Sequence, residues 1–299
     1  MRSIQHYLSL IKFSHTIFAM PFAIIGFVLG IQYHNLQQIH FVNTIFNSYP
    51  IVEKLLLVVL CMISARSAAM AFNRYLDHHI DARNPRTAIR EIPAGIIKPQ
   101  HALIFTIISS IVFIIASYFI NKLCFFLSFI ALFVILFYSY TKRFTALCHL
   151  VLGLGLSLAP IGAFLAVTGV FNALPLLFSV VVICWVSGFD IIYALQDEEF
   201  DKNNQLHSMP VFLGKQNALH FSKFLHLLAM ASVVGIGFLG GFGYWYWIGA
   251  MLFVFMLVYQ HSLVKPNDLS KVNIAFMTAN GMASVVFAAF VIIDILCRM

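Results

Sequence analysis

Residues 174–201 read LPLLFSVVVICWVSGFDIIYALQDEEFD, and this stretch decides the kind of fold the chain adopts. Positions 174–195 are long enough and apolar enough to cross a bilayer as one helix. Five of the chain's 11 acidic residues crowd between Asp190 and Asp201. Carboxylates at the mouth of an apolar helix are costly, and in membrane proteins they mark sites that handle ions or charged substrates. The stretch therefore predicts a transmembrane helix that ends in a polar site.

The rest of the chain is equally apolar. It is 61% hydrophobic and 10% charged over 299 residues, with a mean hydropathy of +0.92, which lies far from the profile of a soluble domain. We predict an all-α, polytopic membrane protein with a single domain over residues 1–299, in which two four-helix sets plus one further helix surround a central cavity. The nine predicted spans are centred on residues 15–33, 52–72, 101–120, 122–140, 148–170, 174–195, 218–239, 244–263 and 272–295.

The distribution of basic residues predicts the orientation. The N-terminus lacks the small-residue cleavage site of a secretory signal, so we expect the first span to be retained. With nine spans, 14 of the 18 Lys and Arg residues fall on the side of the N-terminus, which the positive-inside rule makes cytoplasmic. We expect a protein integral to the bacterial cytoplasmic (inner) membrane, with its active site on the cytoplasmic side.

The net charge of +7 does not indicate nucleic-acid binding. The charge is spread over four loops, and no Lys/Arg run with interleaved aromatics occurs. The five cysteines stand singly in or near apolar spans without a CxxC spacing, which is typical of buried, inert thiols. The lipid bilayer is the one macroscopic partner that the sequence predicts, and no obligate protein partner is evident.

A second acidic set ends the second predicted span. Asn73, Asp77 and Asp81 follow one another at four-residue intervals, so on a helix they share one stripe. The stripe is ~12 Å long, too long for three side chains to share one small cation, so two metals or one metal plus a positioning role remain open. Asp197 and Asp201 repeat the four-residue step just after span 6.

Asp190 lies seven residues before Asp197, two turns deeper on a similar face. Ligands that are all oxygens favour a hard cation, and Mg²⁺ is the natural candidate when a phosphate supplies the remaining oxygens.

The two acidic sets occupy corresponding places, at the ends of spans 2 and 6. This indicates an internal duplication, and membrane folds built from repeats often place their site at the repeat interface. The two longest cytoplasmic segments, 73–100 and 196–217, follow the same spans and contain Pro and Gly breaks such as Gly214. We expect short helices or lids there.

Basic residues accompany the acidic ones. Acids and bases at one cavity mouth suit a metal diphosphate, because carboxylates bind the metal and the bases bind phosphate oxygens. Arg66 is the clearest candidate for a phosphate-binding residue, since it lies within span 2, seven residues before Asn73 and on the same stripe. Snorkelling or a structural ion pair is the alternative explanation for Arg66. The predicted diphosphate-binding residues are Arg66, Arg74, Arg86, Lys142 and Arg143.

Three motifs resemble those of one family. Asn73-Arg74-x-x-Asp77-x-x-x-Asp81-x-x-Asn84-x-Arg86-Thr87 and Asp190-x-x-Tyr193-x-x-x-Asp197-x-x-x-Asp201 resemble the two signatures of the UbiA family of intramembrane prenyltransferases. Tyr138-Ser139-Tyr140-Thr141-Lys142-Arg143 is similar to a third, less specific element.

The resemblance implies a nine-helix fold, Mg²⁺, a polyprenyl diphosphate donor and an aromatic or otherwise nucleophilic acceptor. Within the family it is closest to the 4-hydroxybenzoate polyprenyltransferases, including enzymes of an alternative menaquinone route. The family's frequent Arg near the start of span 1 is absent, and Lys12 and His15 stand in that area.

The expected chemistry is metal-assisted ionisation of the donor followed by attack of the acceptor. Mg²⁺ would neutralise the diphosphate leaving group, and the basic residues would hold its oxygens in a site that excludes water. Asp190, with Tyr193 nearby, would orient or deprotonate the acceptor; whether Asp190 acts as base, positioner or metal ligand stays open. The predicted metal ligands are Asn73, Asp77, Asp81, Asp197 and Asp201, and the predicted catalytic residues are Asp190, Tyr193 and Arg66.

Two alternatives accompany this interpretation. A prenyltransferase of the same family would carry the same motifs with a different acceptor: dihydroxynaphthoate, a futalosine-route menaquinone precursor, haem or glycerol phosphate. An ion or anion transporter would also place charges inside spans. A transporter predicts acids near the bilayer midplane, whereas this chain places them at the cytoplasmic ends of the helices.

Overall fold

A computed structural model of the chain describes residues 2–11, 18–37 and 50–299. Regular structure in these ranges is helical and includes no strand, although one isolated bridge pairs Lys265 with Asp268. The α-helices are α1 (Arg2–Leu10), α2 (Met20–Gln37), α3 (Ile51–Asp81), α4 (Pro99–Ile120), α5 (Lys122–Thr141), α6 (Cys148–Thr168), α7 (Ala173–Ala194), α8 (Glu198–Asn203), α9 (Met209–Leu239), α10 (Tyr244–Leu263) and α11 (Asn280–Cys297).

The predicted all-α, polytopic fold is confirmed. Eight helical segments within the described ranges are long and apolar enough to cross a membrane, and the apolar helix Met20–Leu36 is somewhat shorter. That helix belongs to the first predicted span, whose beginning lies outside the described residues, as do Lys12 and His15. The protein is an integral membrane protein.

The chain divides into two compact units, Met1–Thr16 with Asn43–Tyr140 and Ile17–Val42 with Thr141–Met299. In the first unit α3 packs along α4, and α1 contacts α3. A small apolar cluster that includes Leu10, Ala71 and Ala102 ties these three helices together. The prediction of a single domain stays a prediction.

In the second unit α7 packs against both α6 and α9, while α2 lies along α6 and also contacts α11. Aromatic side chains form much of its core. Trp185 is fully buried, packs against Phe22 and Phe253, and donates its indole N–H to Asn280 Oδ1 at 2.8 Å. A buried indole that finds an acceptor avoids the cost of a lost hydrogen bond. The packing fixes α7, which carries part of the second acidic motif.

Small residues permit close helix crossings in this unit. A Cβ atom added to Gly26 of α2 would lie 2.0 Å from the carbonyl oxygen of Pro160 in α6, whereas one added to Gly162 of α6 would meet no atom within 4 Å. Close approach at small residues is the usual means of helix association in membranes.

We expect Gly26→Ala to destabilise the protein by about 2 kcal/mol or more, because the clash involves backbone and forces α2 away from α6. Gly162→Ala is the matched control and should be neutral or slightly stabilising, since alanine favours the helix. Thermal unfolding in detergent checks both variants. Equal melting temperatures for the two would contradict the tight α2–α6 crossing.

The ends of the acidic helices differ from one another. α3 continues without a break to Asp81, whereas α7 ends at Ala194 and is followed by a 3₁₀ turn, Leu195–Asp197, before α8. The prediction that Asp190 and Asp197 lie on a similar face therefore stays a prediction, because the tighter 3₁₀ turn lies between them.

The predicted short helix after span 6 is confirmed as α8, while residues 82–98 contain turns. The predicted break at Gly214 is also confirmed, because Gly214 has φ 75° and kinks α9.

Candidate functional site

Asn73, Asp77 and Asp81 of the first motif lie near the end of α3, in the first compact unit. Asn73 donates its Nδ2 hydrogen to Asp77 Oδ2 at 3.1 Å. An amide oxygen and a carboxylate one turn apart form a pair of hard oxygen donors.

Asp81, the second acid of the motif, is held by arginines. Arg90 Nη1 donates to both carboxylate oxygens of Asp81, at 2.7 and 2.8 Å, and Arg74 Nη1 lies 3.8 Å from Oδ2. The Asp81 side chain is only 9% exposed, so this pair is largely removed from water. The role of Asp81 as a metal ligand stays a prediction, and in this structure its carboxylate accepts hydrogen bonds from Arg90.

The turns after α3 hold Arg90 in place. The Thr87 hydroxyl donates to the Asp81 carbonyl at 3.1 Å, and the Asn84 side-chain oxygen accepts from the Arg86 backbone N–H at 3.0 Å. Side chains that bond to nearby backbone in this way stabilise turns. Asn84 and Thr87 thus have a structural role that their place in the sequence motif did not reveal.

Two arginines of α3 each have a buried nitrogen that could still donate a hydrogen bond. The Nε atoms of Arg66 and Arg74 are buried and make no hydrogen bond within the part of the chain that the structure describes. Arg74 itself is 4% exposed. Leaving a buried cationic donor unsatisfied is costly, so its persistence suits a site that receives an anion.

The second motif lies in the second compact unit and begins with Asp190 on α7. Its Oδ2 lies 2.7 Å from Nδ1 of His149 on α6. The Tyr193 ring packs on Phe276 with 4.2 Å between ring centroids. The sequence did not predict His149, because its contact with Asp190 joins residues 41 positions apart.

Asp201 is the best-buried acid of the second motif. It is 1% exposed, and its Oδ1 lies 2.8 Å from Lys142 Nζ. Burial alone would lower the Lys142 pKa, but the charge and hydrogen bond of Asp201, with the charge of Asp197, raise the pKa above its ordinary value. The ammonium is therefore held charged. Lys142, predicted to bind phosphate, is paired with an acid here, and Arg143 follows it directly.

The donor chemistry fits Mg²⁺ together with a phosphate ligand. Within residues 2–11, 18–37 and 50–299, no three His, Cys, Asp or Glu side chains group closely enough to cage a metal by themselves. Mg²⁺ is commonly bound by one or two carboxylates plus substrate phosphates and waters rather than by a complete protein cage. In the first unit, Asn73 and Asp77 offer oxygen atoms of this kind, and the buried Nε atoms of Arg66 and Arg74 suit a phosphate. In the second unit, Asp197 offers a carboxylate.

A sequence model of the UbiA prenyltransferase family matches residues 46–282, which include both acidic motifs. The chain belongs to the UbiA prenyltransferase family. This confirms the family that the motifs indicated.

Curated UbiA relatives resemble the chain over most of its length. It is 30% identical over 250 residues to the 4-hydroxybenzoate octaprenyltransferase of Aeromonas salmonicida, covering 81% of this chain and 84% of that protein. It is 29% identical over 249 residues to the protein of the same name from Nitrosospira multiformis, covering 83% and 85%.

Solved UbiA structures share the fold. The apo structure of a UbiA homologue from Aeropyrum pernix K1 superposes with a TM-score of 0.80 at 26% identity, covering 94% of this chain and 98% of that one. A UbiA homologue from Archaeoglobus fulgidus, described as bound to GPP and Mg²⁺, gives a TM-score of 0.74 at 20% identity, covering 97% and 99%.

Proposed function

We propose that this protein transfers a polyprenyl group from a polyprenyl diphosphate to an aromatic acceptor of the 4-hydroxybenzoate type, with Mg²⁺, in quinone biosynthesis. The observation that carries the proposal is that α3 holds both oxygen donors, on Asn73 and Asp77, and buried arginine Nε atoms that make no hydrogen bond among the described residues. The names of the relatives support the acceptor class, and the GPP and Mg²⁺ of the Archaeoglobus homologue support the donor and the metal.

The acidic residues divide into two roles in this proposal. Asn73, Asp77 and Asp197 would hold the metal, which when bound supplies positive charge to the diphosphate leaving group. Asp81 and Asp201 act instead through their bases, Arg90 and Lys142, which fix the segments that follow α3 and α5. The proposal thus uses three of the five predicted ligands, and the metal-binding roles of Asp81 and Asp201 stay predictions.

The basic residues would bind the diphosphate. Among the described residues, the buried Nε atoms of Arg66 and Arg74 make no hydrogen bond, so they can donate to phosphate oxygens at little reorganisation cost. Arg86 and Arg143 would add charge at the edge of the site. These contacts strengthen as the C1–O bond breaks and negative charge collects on the departing oxygens.

The acceptor step belongs to the region around Asp190 and Tyr193. An electron-rich ring carbon attacks C1 of the prenyl group, a C–C bond replaces the C1–O bond, and the ring loses one proton as it regains aromaticity. The Asp190 carboxylate is 24% exposed and thus accessible to a hydroxyl group of the acceptor. In the cell, we infer that this chemistry takes place on the cytoplasmic side of the inner membrane.

A transfer assay tests the proposal. Membranes containing the protein are incubated with labelled polyprenyl diphosphate, Mg²⁺ and separate acceptors: 4-hydroxybenzoate, dihydroxynaphthoate, haem and glycerol phosphate. We expect labelled product with 4-hydroxybenzoate, one diphosphate released per product, and loss of both with EDTA. Product formation with haem or glycerol phosphate alone, or EDTA-resistant transfer, would overturn the proposal.

A further inference from the structure

His149 is a buried histidine attached to the acidic motif. It lies on the first turn of α6, is 3% exposed, and its Nδ1 lies 2.7 Å from Asp190 Oδ2. The Asp190 side chain retains 24% exposure. His149 is therefore enclosed by the protein, whereas the Asp190 carboxylate remains accessible to a ligand.

The surroundings of the ring fix which nitrogen carries the hydrogen. His149 Nε2 lies 3.3 Å from the backbone nitrogen of Met209, the first residue of α9. The first N–H groups of a helix have no partner within that helix, so Met209 donates to Nε2. The nitrogen that accepts must be unprotonated, which places the hydrogen on Nδ1, where it is donated to Asp190.

The histidine is also held through its backbone. The Ser187 hydroxyl on α7 donates to the His149 carbonyl at 3.1 Å. The two helices approach closely there, because a Cβ on Gly153 of α6 would lie 2.4 Å from Ser187 Oγ. Contacts from α7 and α9 thus fix a ring that can hold Asp190 in one orientation.

We propose that His149 is a positioning residue that occupies Oδ2 of Asp190 and directs the other carboxylate oxygen to accept a hydrogen bond from the hydroxyl group of a phenolic acceptor. This inference rests on the proposed function and deepens it, because it names the hydroxyl as the group recognised. A carboxylate that can only accept favours a ligand that donates, and a site built on such a bond rejects analogues without it.

The test compares two substitutions of similar size. His149→Asn retains a donor near the position of Nδ1, whereas His149→Leu removes it. The probes are 4-hydroxybenzoate as substrate and 4-methoxybenzoate, which lacks the hydroxyl donor, as competitor. We expect His149→Leu to raise KM for 4-hydroxybenzoate about tenfold and to leave KM for the prenyl diphosphate unchanged. It should also abolish the wild-type preference for 4-hydroxybenzoate over 4-methoxybenzoate. His149→Asn should restore most of both properties.

A second buried histidine provides the control. His226 on α9 contacts His261 at 2.8 Å and the Trp185 carbonyl at 3.1 Å. His226→Leu should lower thermal stability without changing the hydroxyl preference. The inference is overturned if His149→Leu keeps that preference, or if both KM values shift together, as in a general loss of structure.

If His149→Leu does not accumulate, the comparison of His149→Asn with the wild type decides, and a tenfold loss of hydroxyl preference in His149→Asn overturns the inference. If the wild-type protein prenylates no phenol at all, the proposed function is overturned, and this outcome is distinct from a failure of the His149 inference alone.

Discussion

Replacing Asp77 or Asp197 by alanine is expected to lower prenyl transfer at least about a hundredfold while the protein remains folded in the membrane. Each change removes a carboxylate assigned to the metal, so the diphosphate loses the positive charge that makes it a leaving group. Removing one preorganised electrostatic contact commonly costs 10²–10³ in rate. The measurement is the initial rate of product formation in membranes supplemented with Mg²⁺, normalised to the amount of protein.

Asp268→Ala is the matched control. Asp268 is an acid outside both motifs that accepts hydrogen bonds from the backbone N–H and the hydroxyl of the exposed Ser270, at 3.1 and 2.7 Å. Its loss should leave the rate within about twofold of the wild type, since surface changes away from such sites have small effects. Wild-type-like rates in Asp77→Ala or Asp197→Ala would count heavily against the assignment.

Arg90→Ala should have the second largest effect, on both stability and activity. It leaves the Asp81 carboxylate, 9% exposed, with only Arg74 at 3.8 Å, and leaving a buried acceptor without its donor in this way costs about 1–3 kcal/mol. The turns of residues 82–98 should loosen, and the rate of transfer should fall with them. Thermal unfolding and protease sensitivity of that segment measure the effect.

A second substitution separates this effect from a simple loss of charge. Arg83 lies in the same segment and its Nε donates to the His79 carbonyl at 3.3 Å in an exposed bond. Arg83→Ala should change the melting temperature little. Equal melting temperatures for Arg90→Ala and Arg83→Ala would contradict the stabilising role of the Arg90–Asp81 ion pair.

The spans and the motifs could be predicted from the sequence because each depends on local information. An apolar run such as 52–72 is long enough to cross a bilayer, and the four-residue spacing places Asn73 and Asp77 on one stripe. The hydrogen bond from Asn73 to Asp77 agrees with that stripe. The 3₁₀ turn after α7 could not be predicted, because no residue in Leu195–Asp197 distinguishes such a turn from a continuing α-helix.

The partners of the acids were not predictable in the same way. Arg90 follows Asp81 by nine residues through a series of turns, where no helical period relates them. His149 and Asp190 lie on different helices and meet only through the packing of α6 on α7. A single sequence reveals which side chains carry charge, whereas the fold decides which charges are already satisfied.

Metal binding by the intact protein tests the central claim most directly. Mn²⁺, used in place of Mg²⁺, is titrated in detergent with an unreactive thiolo analogue of the prenyl diphosphate, and bound Mn²⁺ is followed by electron paramagnetic resonance. We expect tight, diphosphate-dependent Mn²⁺ binding by the wild type and by Asp268→Ala, with a loss of at least about tenfold in affinity in both Asp77→Ala and Asp197→Ala. Undiminished Mn²⁺ binding in either of the last two variants would contradict the account.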